Sequence, residues 1–486
     1  MLAASALAAS ATEQTQSNSV PDKMLLLDSL GRIVQVPTNE VSPSLHPPPG
    51  IGLKQQTPDP IEGAKVPHEV LQRIEESRSA EKAFQFFPAV QPRLMPYLAS
   101  LDERGNTALR PGELTPFVPL EQLVQGAKYS LSAYGLRYSL EQTFNYVNMT
   151  DVMKGDNTFG FYTFDLKAKW AIFNAPGVGS AGWLSTQVEA RTGLGPAGDT
   201  QDAKSNLGTL TDPSGIWSSV HGFRVPELAW QESLRDGEIV VLAGMVSQRN
   251  YLDGNVDAHT GRGEFMNSAL IHSQVMPLSQ YNFGVNLQWQ PLDDWYAMLG
   301  ASAGNAPAGN VPWTDFSWQQ WSLVGEFGYA PTDFLGLGPG VYRVQPFVAE
   351  KGGPTQGGLC FNIQQHLGAH SPFAWFGRFG FGGSEVTAEA SAQAGTGFVM
   401  QAPLSYTGLV PKLRNDLLGM GFVWSQPSET SKTIYHENEY VFETFYTLQL
   451  TPTVRLQPDL QVVWDPAFNR DPGPATVFQL QLVLAW

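Results

Sequence analysis

The last twelve residues of the chain, 475–486, constrain its fold more than any other segment. They read ATVFQLQLVLAW, with large apolar side chains at the even positions from 478 to 486 and the glutamines Gln479 and Gln481 at odd positions. This period of two predicts a β-strand with one apolar face and one partly polar face. Chain ends usually fray, whereas the last strand of an outer-membrane barrel closes against the first and places an aromatic residue at the membrane boundary. The ending therefore indicates an all-β transmembrane barrel.

The composition is compatible with a barrel and argues against other classes. Only 15% of the residues are charged, against roughly 25% in typical proteins, while glycine (48 residues) and aromatic residues (11%) are abundant. No apolar run reaches the roughly 18 residues that a transmembrane helix requires. A large soluble all-β protein would have similar totals, so composition alone does not decide. The net charge of -16 argues against nucleic acid as a partner.

No metal site or cofactor is predicted. The single cysteine, Cys360, excludes an internal disulfide and a cysteine zinc site, and it is interpreted as a small wall residue. Two stretches partly match a calcium loop, residues 102–113 and the set Asp253, Asn255, Asp257 and Glu264. In the first, Arg104 stands where a ligand oxygen is needed, and in the second an alanine replaces the turn glycine. Both are interpreted as chance matches.

The chain divides into three parts. Residues 1–20 begin with an alanine-rich stretch that resembles the remnant of a secretory signal. Residues 21–125 are rich in proline and polar residues and are predicted to be a mostly disordered periplasmic leader with one short helix over 68–84. Residues 126–486 are predicted to form the barrel.

Period-two segments dominate the third part. Their apolar faces often carry aromatic residues near the strand ends, such as Tyr162 and Trp170, or Tyr281 and Trp289. This placement is typical of the two aromatic girdles of a membrane barrel. The predicted girdle and C-terminal signature residues are Trp170, Trp289, Trp464, Phe478 and Trp486.

The opposite faces carry charges in mid-strand, which a water-filled lumen tolerates. The predicted channel-lining residues are Arg137, Glu141, Asp165, Lys167, Glu189, Arg191, Glu326, Arg343, Arg378, Arg455, Gln457, Asp459 and Gln461. Aromatic residues of a long connection, Trp313, Phe316 and Trp318, are candidates for stacking on sugar rings or for packing.

Connection lengths alternate, as in barrels with short turns on one rim and long loops on the other. Short connections are predicted at 235–237, 290–294 and 451–453, and long ones at 304–318, 352–358 and 465–474. Sixteen strands are predicted, because the segment around 269–276 is a weak strand candidate and bacterial barrels favour an even number. Trp486 then lies on the periplasmic, short-turn rim.

Residues 443–464, ETFYTLQLTPTVRLQPDLQVVW, resemble the C-terminal signature of the carbohydrate-selective porins of the OprB family. Other parts of that family are similar to residues 414–421 and 377–380 and to the mid-chain stretches 244–245, 250–253 and 265–267. The resemblance covers about residues 130 to 486, although the family more often ends in Phe than in Trp.

The resemblance implies a 16-stranded porin in the outer membrane of a Gram-negative bacterium, passing sugars or other small hydrophilic solutes. The expected partners of such a protein are outer-membrane lipid, the solutes and the barrel-assembly machinery, which would bind the C-terminal strand. It is expected to be a monomer or a homotrimer.

Two alternatives remain open. One is a plugged barrel with a structural or adhesive role. The other is a secreted β-rich glycoside hydrolase, with Glu437 and Glu439, or Asp293 and Asp294, as paired carboxylates. The sequence contains no G-x-S-x-G or H-E-x-x-H motif, so no catalytic residue is predicted.

Overall fold

The computed structural model of the protein describes most of the chain after residue 133. The gaps in this part are 176–178, 196–199, 218–221, 256–257, 293, 304–319, 332, 352–353, 369–372, 383–389, 402–415, 430–432, 452 and 471–472. Residues 23–27, 33–37, 127 and 131 are also described. The predicted helix at 68–84, the partial calcium loop at 102–113 and the aromatic residues Trp313, Phe316 and Trp318 lie outside the described residues.

Two strands near the N-terminus, β1 (Lys23–Leu27) and β2 (Ile33–Pro37), form a separate two-stranded sheet. Sixteen further antiparallel strands form one closed barrel, in which each strand pairs with its neighbours in the chain and the last strand pairs with the first. The strands are β3 (Leu136–Met149), β4 (Thr158–Ala175), β5 (Ser180–Leu194), β6 (Gly222–Leu234), β7 (Ile239–Val246), β8 (Asn282–Leu292), β9 (Trp295–Ala303), β10 (Gln320–Tyr329), β11 (Gly340–Lys351), β12 (Gln356–His366), β13 (Phe373–Gly382), β14 (Ala390–Gln401), β15 (Leu417–Pro427), β16 (Glu439–Thr451), β17 (Val454–Trp464) and β18 (Ala475–Ala485). The predicted fold class and strand number are confirmed.

The C-terminal strand closes the barrel, as its sequence predicts. β18 pairs with β3 in a register that runs from Val477 opposite Met149 to Ala485 opposite Glu141. At the end of this ladder the main-chain N–H of Trp486 donates to the carbonyl of Leu140 at 2.7 Å, and the N–H of Leu140 donates back at 2.9 Å. The last residue therefore takes part in the closing seam.

The two faces of the strands differ as the alternation predicts. In β3, β17 and β18 the odd residues are buried inside the barrel, and the even residues point outward. Large apolar side chains are exposed on the outer face, including Trp170 and Trp289 near the short-turn rim and Trp464 and Phe478 near the opposite rim. Trp486 is half-buried at the short-turn rim. An apolar surface of this extent requires apolar surroundings.

Connection lengths follow the predicted alternation with three exceptions. β12 begins at Gln356, so the predicted long connection at 352–358 has only four residues, 352–355. On the other rim, the connection 330–339 between β10 and β11 has ten residues, and the connection 402–416 between β14 and β15 has fifteen. The two longest connections, 195–221 and 247–281, lie on the same rim.

Within the described part of the chain, two short α-helices lie in these two longest connections. They are α1 (Ala203–Leu207) and α2 (Ser268–Ile271). In the described part of the chain, no helix has the length and apolar character needed to cross a membrane. The segment around 269–276 is part of the 247–281 connection and contributes no barrel strand, which explains its weak strand pattern.

The predicted leader contains a hairpin that the sequence analysis did not anticipate. β1 (Lys23–Leu27) and β2 (Ile33–Pro37) pair antiparallel, with Lys23 opposite Pro37. Two runs rich in leucine, isoleucine and valine, separated by five residues that include a glycine, favour such a hairpin. The proline-rich composition around them dominated the prediction of disorder.

Candidate functional site

The connection between β7 and β8 folds into the barrel and is called the second infolded segment (residues 247–281). Gln248, Leu252 and Phe265 in this segment have no exposed surface. A segment buried in this way must find partners for its main-chain N–H and C=O groups. Inward-facing side chains of the strands supply them.

A carboxylate on β16 holds the middle of the segment. Glu443 accepts hydrogen bonds from the N–H groups of Met266 at 2.5 Å and Asn267 at 3.0 Å. On β17, the side-chain amide of Gln457 donates to the carbonyl of Glu264 at 2.7 Å. These contacts fix the segment against one side of the barrel wall.

Arg378 on β13 joins three separate points of the same segment. Its guanidinium forms an ion pair with the Asp253 carboxylate, with Nε 3.2 Å from Oδ2. Its Nη2 donates to the carbonyls of Asp253 at 3.0 Å and Ala258 at 2.8 Å, and its Nη1 donates to the carbonyl of Leu270. Because the guanidinium fork has five donors in fixed directions, one side chain can tie these points together.

An aromatic anchor completes the attachment. The ring of Phe265 packs edge-on against Phe376, with centroids 5.4 Å apart, and against Phe445, at 4.9 Å. Two wall glycines leave the space for it: a Cβ at Gly397 would lie 3.1 Å from the Phe265 ring, and one at Gly421 would lie 2.9 Å from it. Larger residues at these positions would push the segment away from the wall.

The connection between β5 and β6 also enters the barrel, and its described part, residues 200–217, is called the first infolded segment. Glu439 on β16 accepts from the N–H groups of Leu210 at 2.6 Å and Thr211 at 2.9 Å. The indole of Trp217 stacks on Phe161 with centroids 4.7 Å apart. Glu439 and Glu443, four residues apart on one strand, thus hold one segment each.

A cavity remains between the second infolded segment and the wall formed by β4, β5 and β6. We call this cavity the eyelet. It encloses about 690 Å³ of space not occupied by atoms, including space open to solvent. The charged residues that line it are Asp165, Lys167, Glu189, Arg191, Arg249 and Arg262.

Ion pairs order the charged lining. Arg262 of the segment lies 3.2 Å from the carboxylate of Asp165 on β4, and Arg191 lies 3.1 Å from that of Glu189 on β5. His272 also lines the eyelet from the segment. Burial, together with nearby positive charge, lowers the pKa of its imidazole well below the usual range, so this ring is neutral at neutral pH.

Tyr281 lies at the eyelet and not on the lipid face that the alternation suggested. β8 begins at Asn282, so the chain at Tyr281 still belongs to the infolded segment. Its hydroxyl accepts from Nη1 of Arg224 at 3.1 Å and lies 3.4 Å from Oε2 of Glu189. The Arg224 guanidinium also lies over the ring, 5.7 Å from its centroid.

The thirteen predicted channel-lining residues all lie on barrel strands at inward-facing positions. Four of them line the eyelet: Asp165, Lys167, Glu189 and Arg191. Five hydrogen-bond to the infolded segments: Glu326, Arg343, Arg378, Gln457 and Gln461. Arg455 on β17 and Glu141 on β3, the two strands that flank β18, have their charged groups 3.7 Å apart. Asp459 is buried beside Gln461, and Arg137 is half-buried toward the short-turn rim.

Sequence reasoning missed the side of the eyelet that the segment supplies, including Arg249, His259 and Arg262. It also missed the role of Glu443. The available signal was length: a 35-residue connection without strands, 247–281, is unusual in a compact domain and is usually functional.

The second partial calcium loop has its oxygen atoms engaged by protein donors. Asp253 accepts from the N–H of Ser273 at 2.7 Å and pairs with Arg378, and Glu264 accepts from the N–H of Thr260 at 2.6 Å. Asp257 lies outside the described residues. Among the residues with described positions, no group of three or more His, Cys, Asp or Glu side chains is arranged to hold a metal ion.

The paired carboxylates suggested for a hydrolase occupy different environments. Glu437 is exposed, whereas Glu439 is fully buried and bound to main-chain N–H groups. Asp293, of the other suggested pair, lies outside the described residues. The fold points to a channel rather than an enzyme.

Comparison with known proteins agrees with this geometry. Residues 161–484 match the family described as "Carbohydrate-selective porin, OprB family". The chain is 25% identical over 342 residues to Porin AaxA of Chlamydia felis, covering 66% of this chain and 70% of that one. It is 26% identical over 345 residues to Porin AaxA of Chlamydia abortus, covering 66% and 69%.

The high-pH structure of Pseudomonas putida OprB shares the fold, with a TM-score of 0.61 at 14% identity, covering 74% of this chain and 96% of that chain. The family match spans more than half of the sequence and includes the wall from β4 to β18 and both infolded segments. The protein belongs to the OprB family of porins.

Proposed function

We propose that the protein lies in the outer membrane of a Gram-negative bacterium and lets small hydrophilic solutes, principally carbohydrates, diffuse through the eyelet. The observation that carries the proposal is the cavity between the second infolded segment and the β4–β6 wall, lined by charged, amide and hydroxyl groups. Selectivity in such a channel depends on its radius and on the hydrogen-bonding and charged groups at its narrowest point.

The outer surface supports the membrane location. Exposed tryptophans stand near both rims, and the band between them carries exposed apolar side chains such as Phe327 and Phe379. Because one chain closes the barrel, a pore needs no second copy. In this orientation the short-turn rim and the leader, residues 21–125, face the periplasm, and the C-terminal strand is the one offered to the assembly machinery.

The eyelet lining fits carbohydrate passage. Gln187, Asn250 and Gln280 present side-chain amides, and Thr260 and Ser268 present hydroxyls, at the same cavity as the charged groups. Sugar hydroxyls are both donors and acceptors, so they can exchange partners along such a lining. The four predicted lining residues Asp165, Lys167, Glu189 and Arg191 are proposed to contact the solute.

Liposome swelling tests the proposal. Liposomes that contain the purified protein should admit small sugars at rates that fall as the sugar becomes larger, and unboiled protein should migrate differently from boiled protein on an SDS gel. Protein that stays soluble without detergent and binds no bilayer would contradict the membrane location.

The plugged barrel is a second candidate, because two infolded segments fill much of the lumen. The swelling assay separates the two. A folded, membrane-inserted barrel that shows neither swelling nor conductance would be a plug and would exclude the channel.

A further inference from the structure

The lining of the eyelet has the opposite sign of charge from the chain as a whole. Four basic residues and two acidic residues face it, a net charge of +2, whereas the whole chain carries -16. The basic residues are Lys167, Arg191, Arg249 and Arg262, and the acidic residues are Asp165 and Glu189. The ion pairs within this set leave its sum unchanged.

Charged groups behind the lining do not reverse the sign. Arg224 and Arg455 add two positive charges, and Glu141, Asp212, Glu227 and Glu264 remove four, which lowers the sum from +2 to 0. Asp253 lies on the far side of the segment and is paired with Arg378.

The positive charge continues toward the short-turn rim. Lys169 lies opposite Arg137 in the β3–β4 ladder, and both face inward with partly exposed side chains. They raise the sum over the eyelet and its exit from 0 to +2. A narrow opening between low-dielectric walls concentrates the field of such charges and raises the local concentration of the opposite ion.

We infer that the pore prefers anionic solutes, specifically sugar-sized polyols that carry a carboxylate, such as aldonic and uronic acids. Guanidinium groups form short, charge-assisted hydrogen bonds with carboxylates, and the amides and hydroxyls of the eyelet serve the polyol part. The inference rests on the proposed channel function and deepens it by naming a solute class.

The test uses the full-length protein in planar bilayers. In a KCl gradient the reversal potential should give a chloride-to-potassium permeability ratio of about 3 or more at low salt, falling as salt screens the charges. Among three six-carbon polyols of similar size, gluconate (anionic) should permeate faster than sorbitol (neutral), and sorbitol faster than glucamine (cationic).

A charge reversal at the eyelet supplies the matched variant. Lys167→Glu changes the lining from +2 to 0 and should bring the permeability ratio to about 1. Lys154→Glu makes the same change at an exposed position in the connection between β3 and β4 and should leave the ratio as in the wild type. Heat-modifiable migration on a gel verifies that each variant is folded.

The outcomes separate the two claims. No conductance by the folded protein would refute the channel itself. Conductance with a ratio at or below 1, or with glucamine faster than gluconate, would refute the anion preference and leave the channel in place. The wild-type ratio alone decides the inference if Lys167→Glu does not fold.

Discussion

Replacing Arg378 by methionine tests whether a single wall side chain fastens the second infolded segment. Met fills a similar length of space without the guanidinium. The substitution removes the ion pair to Asp253 and the hydrogen bonds to the carbonyls of Ala258 and Leu270. The β13 backbone ladder is untouched, because no ladder hydrogen bond involves the side chain.

The cost of this change follows from burial. Arg378 is 2% exposed and Asp253 is fully buried, and removing one partner of a buried ion pair typically costs about 3–5 kcal/mol. At about 1.36 kcal/mol per factor of ten, the equilibrium for docking of the segment should weaken by roughly a hundred- to several-thousand-fold. The barrel has sixteen strands to stabilise it, so the loss should be confined to the segment.

Hydrogen exchange followed by mass spectrometry measures the docking. The main-chain N–H groups of Met266 and Asn267 are protected by Glu443, on a different strand from Arg378. Peptides that contain them should exchange faster by roughly a hundredfold or more in the variant. Peptides from β17 and β18 should exchange as in the wild type. In bilayers, the variant should show a larger or noisier open-channel current.

Two controls complete the design. Arg235→Met removes an arginine from an exposed short turn and should change neither exchange nor current. Adding Asp253→Asn to Arg378→Met removes the unpaired carboxylate, so the double variant should lose less than the sum of the two single changes. Unchanged exchange at Met266 and Asn267 in Arg378→Met would refute the idea that this arginine fastens the segment.

Two further changes test the wall and the outer face. Gly421→Val adds atoms close to the Phe265 and Leu270 side chains, so it should weaken docking of the second infolded segment by about 1–3 kcal/mol and raise the hydrogen exchange of Met266. The control is Gly325→Ala, whose new Cβ would lie 3.4 Å from Pro346. Equal exchange of Met266 in the two variants would contradict the packing argument. Leu480→Arg puts a charge on the outer face of β18 and should cost about 2–4 kcal/mol near the bilayer midplane. The folding yield, judged by heat-modifiable migration, should fall with Leu480→Arg, and an unchanged yield would overturn the assignment of Leu480 to the lipid face.

The barrel itself could be predicted because alternate residues of each strand face lipid and the lumen, and these two environments favour different side chains. Each strand shows its outer face to lipid and its inner face to polar groups, so a period of two reveals strand, face and approximate number at once. The terminal strand is the clearest case, with Leu480 outward and Gln479 inward. The same rule placed all thirteen predicted lining residues on the inner face.

Parity fails where the chain leaves the strand. Tyr281 continues the alternation of β8 by one residue, yet it belongs to the infolded segment and reaches the eyelet. The alternation also does not predict whether an inward-facing side chain lines the cavity or is buried against an infolded segment. Arg191 and Arg378 are both inward arginines, but one lines the eyelet and the other is buried against main-chain carbonyls.

The inward-facing residues of the barrel wall therefore have two different roles, one on strands β10–β18 and another on strands β4–β6. From β10 to β18, inward groups such as Glu326, Arg378 and Glu443 satisfy the main chain and acidic side chains of the segment. From β4 to β6, the wall stands back from the segment and leaves the eyelet. The segment contributes Arg249 and Arg262 to that opening, so the sign of its charge depends on side chains that the barrel does not need in order to close. Substitutions there can change the solute preference while the wall and the anchoring contacts remain as they are.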